Sequence, residues 1–354
     1  GEDYVKFGAV VGNPPYQVAD NEYGKGSAKP IYQNFIMIAD TLNASYITMI
    51  TPSVWFTGGK GLDNFRSWMM SNSNLKSVTH FVTSQDIFPN VNLRGGVSYF
   101  LLNNNYDNSK NGIRITTVKD SKIIMDGYKK AELEGVELFI SDIIAANLLD
   151  RLITQGYIKN DLESSAMLPH IISVRNPYGF TTTFTKDTDF HETPEECSTP
   201  VKIYASRGEI GYIENAIITK KRDWINRWKV LTPFANNIGT NLPDDNLNTF
   251  IGEPGSISTE TYLVLGVDLS FDKQECLNLQ KYLATKFVRF LISLAKANQN
   301  GTRKTYKFVP NQDFSVNSDI DWSCSVDEID NQLFDIYGLS DSERTHIKNS
   351  IKDM

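Results

Sequence analysis

Phe7-Gly8-Ala9-Val10-Val11-Gly12-Asn13-Pro14-Pro15-Tyr16 is the stretch on which the reading of this chain turns. Phe7 to Val11 is short, continuous and β-branched, the pattern of a buried strand. Pro14 and Pro15 have no N–H to give a ladder, so they end the strand and force an extended loop, with Asn13 and Tyr16 at its carboxyl end. Downstream, strands and helices alternate. Pro30 opens a segment in which Ile31, Phe35, Ile38, Ala39 and Leu42 recur at helical spacing, and Ser45 to Ile50 is a strand stopped by Thr51-Pro52. Leu62 to Met70 reads as a helix carrying Phe65, Trp68 and Met69 on one side; Val78 to Val82, Val97 to Leu102 and Ile113 to Val118 are further strands. Such alternation predicts a mostly parallel α/β sheet, with ligands at the carboxyl ends of its strands.

The 354 residues, 40% hydrophobic and 22% charged, suit two or three globular domains. No apolar run approaches the roughly 20 residues of a membrane span. Cys197, Cys276 and Cys324 form no Cys-x-x-Cys pair, and His80, His170, His191 and His346 have no ligand spacing, so no metal and no membrane are expected, and a reducing cytoplasm fits. The chain opens with Gly1 and enters a strand-like run almost at once, which reads as a piece of a longer protein. After a helix over about 141–155, residues 165–275 turn rich in Thr, Asn, Pro and Gly. Short β-like runs at Val201 to Tyr204 and Tyr262 to Val267 predict a second domain there. One long helix is expected from Leu277 to Ala297.

The net charge of -7 hides a large asymmetry. Residues 281–310 hold seven Lys/Arg and no Asp or Glu, residues 200–232 hold seven against three acids, and residues 311–354 hold ten acids against three bases. Lys286, Arg289, Ser293 and Lys296 fall on one helix face, Arg303, Lys304 and Lys307 in the polar loop after it. Lys220, Lys221 and Arg222 interleave with Trp224 and Trp228, which at i and i+4 predict one helix face. So many cations without counter-acids imply an anionic partner, and these nine are the candidate DNA contacts. If that anionic partner is duplex DNA, residues 281–310 are expected to line its channel and 165–275 to read sequence; the acidic tail reads as a solvated helix face.

Asn-Pro-Pro-Tyr after a buried strand resembles motif IV of the S-adenosylmethionine-dependent amino methyltransferases, in particular the adenine-N6 DNA methyltransferases of type IIG-like restriction-modification systems. The chemistry explains the residues. The exocyclic amine of adenine is a poor nucleophile, and an Asn side-chain oxygen with a neighbouring Pro carbonyl accepts both its hydrogens and aims the lone pair. Asn13 and Pro14 fit that role, and Tyr16 offers the face on which a flipped base stacks. Tyr32-Gln33-Asn34-Phe35-Ile36, Ile47 to Phe56 and Gly95-Gly96-Val97-Ser98-Tyr99-Phe100-Leu101 continue the likeness. The last resembles motif VIII, whose aromatic walls the base pocket: Tyr99 or Phe100, which alternation sends to opposite faces.

The resemblance implies a partial Rossmann-like methyltransferase sheet, its leading strands missing, over residues 1–160, followed by a mixed α+β target-recognition domain over 161–312. An acidic helical tail over 313–354 completes the division. It further implies Asn13, Pro14, Pro15 and Tyr16 as catalytic residues, double-stranded DNA as partner, and a nuclease as domain or subunit of the same system. The S-adenosylmethionine motif is expected upstream of this chain, because only twelve residues precede Asn13 and Gly58-Gly59-Lys60-Gly61 falls in a later loop. The chain alone is then expected to be inactive, with an unpaired sheet edge. Two other readings stand beside this: glutamine-N5 or guanine-N2 methyl transfer, which uses the same tetrapeptide, and a DNA-binding specificity module without chemistry.

Overall fold

The computed structural model describes residues 7–18, 29–57, 61–91, 93, 95–239, 242–296 and 300–354; Gly58, Gly59, Lys60, Ala297 and Gln299 lie outside them. The chain divides into two compact units, 1–151 and 152–354.

In the first unit the strands are β1 (Ala9–Gly12), β2 (Gln17–Val18), β3 (Lys29–Pro30), β4 (Tyr46–Pro52), β5 (Leu75–Phe81), β6 (Val97–Asn103), β7 (Ile113–Lys119) and β8 (Lys122–Lys129). The helices are α1 (Tyr32–Thr41), α2 (Asp63–Ser71), α3 (Asn108–Asn111) and α4 (Ile143–Thr154), whose last three residues fall in the second unit. Six strands form one sheet in the order β1-β4-β6-β5-β7-β8. β1, β4, β5 and β7 point one way, but β6 and β8 are reversed, so only β1/β4 and β5/β7 pair in parallel. The sheet is therefore mixed, not mostly parallel. β6 inserts between two co-directional strands, and Asp120-Ser121, both at positive φ (51° and 58°), fold β8 back on β7 as a hairpin.

Gly12, Met49, Phe100, Val78 and Ile115 stand in register across five strands. The last four join Tyr32, Ile36 and Ala39 of α1 and Phe65 and Met69 of α2 in one core. The opposite face is open around Val11 (76% exposed), Tyr46 (44%) and Tyr99 (42%). β1 is thus not the buried strand expected; among the described residues it is an edge strand, paired with β4 alone. In α1, too, the packed stripe differs from the one expected: Tyr32, Ile36 and Ala39 are buried, whereas Phe35, Ile38 and Leu42 are exposed. The helix is apolar on two sides, and periodicity does not say which side meets the sheet.

The second unit holds β9 (Pro200–Tyr204), β10 (Ile210–Glu214), β11 (Lys229–Pro233), β12 (Phe250–Gly252), β13 (Ser256–Ser258) and β14 (Tyr262–Leu265). They form two three-stranded sheets, β10-β9-β13 and β12-β11-β14. Val201, Ile203, Ile213, Leu231, Ile257 and Val264 pack with Tyr178 and Trp224 in their core. Helices α5 (Lys273–Ala284), α6 (Lys286–Ala295), α7 (Val326–Ile336) and α8 (Asp341–Ser350) complete the unit. The single helix expected over 277–297 is two. Thr285 is extended (φ -61°, ψ 147°), ends α5, and caps α6 by accepting from the Val288 N–H.

Asp330 of α7, 2% exposed, explains the break: its carboxylate accepts from the Lys286 N–H (2.6 Å) and the Phe287 N–H (2.9 Å), the free donors at the start of α6. Phe287 in turn stacks on Tyr337, ring centroids 5.0 Å apart, and meets Phe334 edge-on. Residues 313–354 are therefore not a separate solvated tail. Their helices pack inside the second unit, with Ile329, Leu333 and Phe334 buried.

Burial raises the Asp330 carboxyl from 3.8 to about 6, although the two N–H donors pull it down. An acid whose folded pKa is raised takes up a proton on folding, so its contribution is full below about pH 4 and falls as pH rises to about 6. Measured by urea unfolding, Asp330→Asn should gain on the wild type by roughly 2 kcal/mol between about pH 4.5 and 7.5. Asp330→Ala, which strands two buried N–H groups and likewise cannot titrate, should lose about 2–3 kcal/mol near pH 4.5 and recover roughly 2 kcal/mol of that against the wild type by about pH 7.5. A difference between wild type and Asp330→Asn that is flat in pH would count against a strained buried carboxyl.

Candidate active site

The carboxyl ends of β1, β4 and β5 lie on one edge of the first sheet, and the residues following them build the site. β1 stops at Gly12, and the chain leaves through Asn13, Pro14, Pro15 and Tyr16 before the short β2/β3 ladder, where the Ile31 N–H donates to the Tyr16 carbonyl (3.2 Å). Asn13 is exposed and Pro14 buried. Neither the Asn13 side chain nor the Pro14 carbonyl has a hydrogen-bond partner among the described residues. Two acceptors one residue apart are thus free. Tyr16 is half-buried, its hydroxyl unpartnered among the described residues and its pKa raised by desolvation.

The ring against Tyr16 is Phe88, edge-on with centroids 6.5 Å apart and an interplanar angle of 65°. Of the two aromatics the sequence suggested, Phe100 is 1% exposed in the helix-covered core, and Tyr99, on the open face, touches Phe81 instead. Phe100 is therefore a core residue, and the structure brings neither ring to Tyr16. Phe88 lies in the loop after β5, and buried Ser84 holds that loop. Its Oγ donates to the Val91 carbonyl (2.6 Å) and accepts from the Leu93 N–H (2.9 Å), while its carbonyl accepts from Phe88 N–H (2.8 Å). The signal in the sequence was an aromatic beside a proline, Ile87-Phe88-Pro89, just past a strand end.

A polar row lies one register step beyond the core. Thr51, Ser98, His80 and Thr117 align across β4, β6, β5 and β7. His80 Nε2 sits 3.1 Å from the Gly95 carbonyl, and desolvation lowers its pKa, so the ring is neutral at pH 7 with Nε2 as donor. Gly96 beside it has φ +75°, and a Cβ there would fall 2.0 Å from the Phe81 carbonyl oxygen, so glycine alone lets β6 start against the end of β5.

In the second unit most of the candidate cations are engaged within the fold. Arg289, 3% exposed, donates to the carbonyls of Ala284 (3.0 Å) and Lys352 (2.8 Å), and burial lowers its pKa. It cannot meet a phosphate while the fold is intact. Lys286 pairs with Asp353 (2.8 Å), Lys296 donates to the Asn236 and Ile238 carbonyls (2.8 and 2.6 Å), and Arg303 holds Glu163 (2.8 Å) and the Pro169 carbonyl (3.0 Å). Lys307 lies over the Phe308 ring at 4.9 Å, and Lys304 is exposed. The positive helix face expected for phosphate is an internal one. Lys220, Lys221 and Arg222 are exposed; Lys221 Nζ sits 4.0 Å from the centroid of the Trp224 ring, and Arg222 donates to the Asn215 and Ile218 carbonyls (2.8 and 2.7 Å). Trp224 and Trp228 form no helix face, because only a single 3-10 turn, Arg222–Trp224, is present.

Residues 2–88, from before Asn13 to Phe88, match the Eco57I restriction-modification methylase family. An uncharacterized adenine-specific methylase of Mycoplasma pneumoniae is 36% identical over 104 residues, which are 29% of this chain and 25% of that protein. Among solved structures, the type IIG restriction endonuclease BpuSI has a TM-score of 0.38 at 11% identity, covering 99% of this chain and 53% of its own. The type IIL restriction-modification enzyme MmeI, in complex with DNA, has 0.41 at 8%, covering 85% and 45%. The match thus spans a quarter of the curated relative, and the chain about half of each enzyme. The chain carries a restriction-modification methylase segment homologous to an adenine-specific methylase.

Ser84→Ala deletes two hydrogen bonds that fix the Phe88 loop and leaves the Leu93 N–H without its acceptor. It should cost about 1–3 kcal/mol in urea unfolding and speed proteolysis within residues 85–93. Unchanged cleavage there would mean that the loop is held by other contacts.

Proposed function

We propose that this chain carries the amino-acceptor part of a site-specific DNA methyltransferase of a restriction-modification system, which moves a methyl group from S-adenosylmethionine to N6 of an adenine flipped out of duplex DNA. The observation that carries the reading is the pair of free acceptors, the Asn13 amide and the Pro14 carbonyl, at the carboxyl end of β1 beside the Tyr16 ring. Together they accept both hydrogens of the amino group, so that its lone pair points away from the protein and no side-chain base has to deprotonate it. Pro14 and Pro15 bring no backbone N–H into the loop, so no donor there opposes the incoming amino group. Tyr16 stacks on the flipped base, which offsets the few kcal/mol of unstacking, and Phe88 backs the Tyr16 ring edge-on.

These strand ends suit the acceptor and not the donor. β1 and β4 run into Pro14, Pro15 and Pro52, and among the described residues no glycine-rich turn with an acidic partner follows β1, β4 or β5. We therefore place the S-adenosylmethionine site on polypeptide outside these residues and read the chain by itself as inactive. The free edge of β1 and the open face around Val11, Tyr46 and Tyr99 support that placement, because a strand added beside β1 would end level with Asn13. The second unit is read as the target-recognition part, with cleavage left to another domain or subunit.

Long-read sequencing of DNA from the native host tests the reading. Deleting the gene should remove N6-methyladenine from one sequence motif, and Asn13→Ala in the chromosome should lower modification there by about 10²–10³-fold in rate while duplex binding persists. Tyr16→Ala should be nearly as harmful and Tyr16→Phe mild, because stacking needs only a π face. N6-methyladenine that survives deletion at every motif would overturn the assignment.

A further inference from the structure

Eight non-glycine residues among those described have positive φ: Asn43, Asp120, Ser121, Asn176, Arg207, Lys221, Asn248 and Ser270. Six are short polar residues, of which Asn and Asp tolerate this region best; the other two are long cations, Lys221, which lies over the Trp224 ring, and Arg207, whose side chain has no partner among the described residues. Both are exposed and sit in tight turns, and a neighbour of each, Ser206 and Lys220, touches the loop over residues 179–183. Arg207 (φ 60°) and Gly208 (φ 77°) form the tip between β9 and β10, closed by Ala205 N–H to the Glu209 carbonyl (2.8 Å). The Ser206 hydroxyl ties this tip to the Thr182 carbonyl (3.0 Å). At the other end of the loop, the Lys220 side chain lies along Gly179, next to Lys221.

Between them, Gly179 and Thr181, Thr182 and Thr183 are exposed, and the loop is pinned from behind by Glu260, whose N–H donates to the Phe180 carbonyl (2.8 Å). The Glu260 carboxylate is itself held by the Thr182 N–H (3.3 Å) and Arg175 (3.2 Å). The hairpin is rigid: five residue pairs join β9 to β10, and His191 and Tyr212 exchange two hydrogen bonds (2.9 and 2.8 Å) on its far side. Yet the Arg207 guanidinium at its tip has no partner among the described residues. Acids near this surface are Glu209, in the tip itself, Asp187 and Asp189 beyond Thr183, and Asp223 beside Lys221, which is paired with Arg227 (3.6 Å).

We propose that this strip, Lys221-Lys220 through Gly179–Thr183 to Arg207, is the surface on which duplex DNA docks, with Lys220 and Lys221 on phosphates and Arg207 reading guanine in the major groove. The inference rests on the methyltransferase reading above, keeps sequence reading within residues 165–275 and moves the phosphate contacts away from residues 281–310. Lysine and threonine hydroxyl donors position a duplex without reading it, a two-stranded ribbon fits the major groove, and a guanidinium is the group that engages guanine O6 and N7 together. A turn held in strained backbone by its surroundings keeps that guanidinium aimed outward.

Selection of the full chain against a random duplex pool tests this. Wild type should enrich one motif containing a fixed G·C pair. Arg207→Gly relieves the backbone strain, so it should melt no lower than wild type yet lose about tenfold to hundredfold preference at that pair, with the salt dependence of binding kept. Lys220→Ala with Lys221→Ala should retain the motif, weaken all sequences alike and flatten the slope of log affinity against log salt by about 2. If Arg207→Gly enriches the wild-type motif undiminished, the strip is wrong and the methyltransferase reading stands. If wild type enriches no duplex at all, both fall.

Discussion

A shortage of backbone donors at the end of β1 governs the candidate site. Gly12 makes the last ladder contact with β4, and the next positions are Asn13, Pro14 and Pro15, two of which have no N–H. The loop can neither continue the sheet nor close a turn on itself, and it is recaptured only at Tyr16, whose carbonyl takes the Ile31 N–H. Within that span the Asn13 amide and the Pro14 carbonyl keep their lone pairs. Most backbone acceptors in a fold are satisfied from within, so a place where covalent structure forbids it is where an outside donor is accommodated.

Features fixed by local chemistry were legible in the sequence. The prolines end β1, Thr51-Pro52 ends the next long strand, and Leu62 to Met70 became α2 within a residue of its expected bounds. Features fixed by register or long-range contact were not. Phe88 belongs beside Tyr16 only because β5 ends on the same edge as β1, and β6, the strand next to β5 in space, comes after it in sequence and runs the other way. The hydroxyl row of Thr51, Ser98 and Thr117 around His80 is scattered over nearly seventy positions and exists only as a line across four strands. The break at Thr285 depends on a carboxylate 45 residues away.

Charge counting failed for a related reason. It set seven cations in 281–310 against the absence of neighbouring acids and inferred an external anion, but a carbonyl is also a counter-group. Arg289 and Lys296 are held mainly by carbonyls, and the acids that pair Lys286 and Arg303, Asp353 and Glu163, come from distant segments. Arg289, with carbonyls on its Nε and Nη1 and the Asp330 and Asp245 carboxylates acting on its charge, needs no external anion. Lys304 is the exposed exception in 281–310, whereas the outward cations of the strip, Lys220, Lys221 and Arg207, came from a stretch whose net charge was less extreme.

The two units expose surfaces of opposite chemistry, and desolvation decides what each suits. In the first, Val11, Tyr46 and Tyr99 line an open sheet face, while Phe35, Ile38 and Leu42 make an apolar stripe on α1. Covering such surface with more polypeptide gains roughly 25 cal/mol per Å², and an unpaired edge strand beside it adds directional hydrogen bonds that lipid or a lone helix would leave unmade. In the second, the strip from Lys221 to Arg207 is cationic and hydroxyl-rich, with water already satisfying its donors. A protein core would have to remove that water without replacement, whereas a polyanion replaces each water with a charged acceptor and releases counterions as it does so. The same energetics favour polypeptide on the first surface and, on the reading proposed above, a polyanion on the second. That division is what a methyltransferase needs if one part completes its chemistry and another selects its sequence.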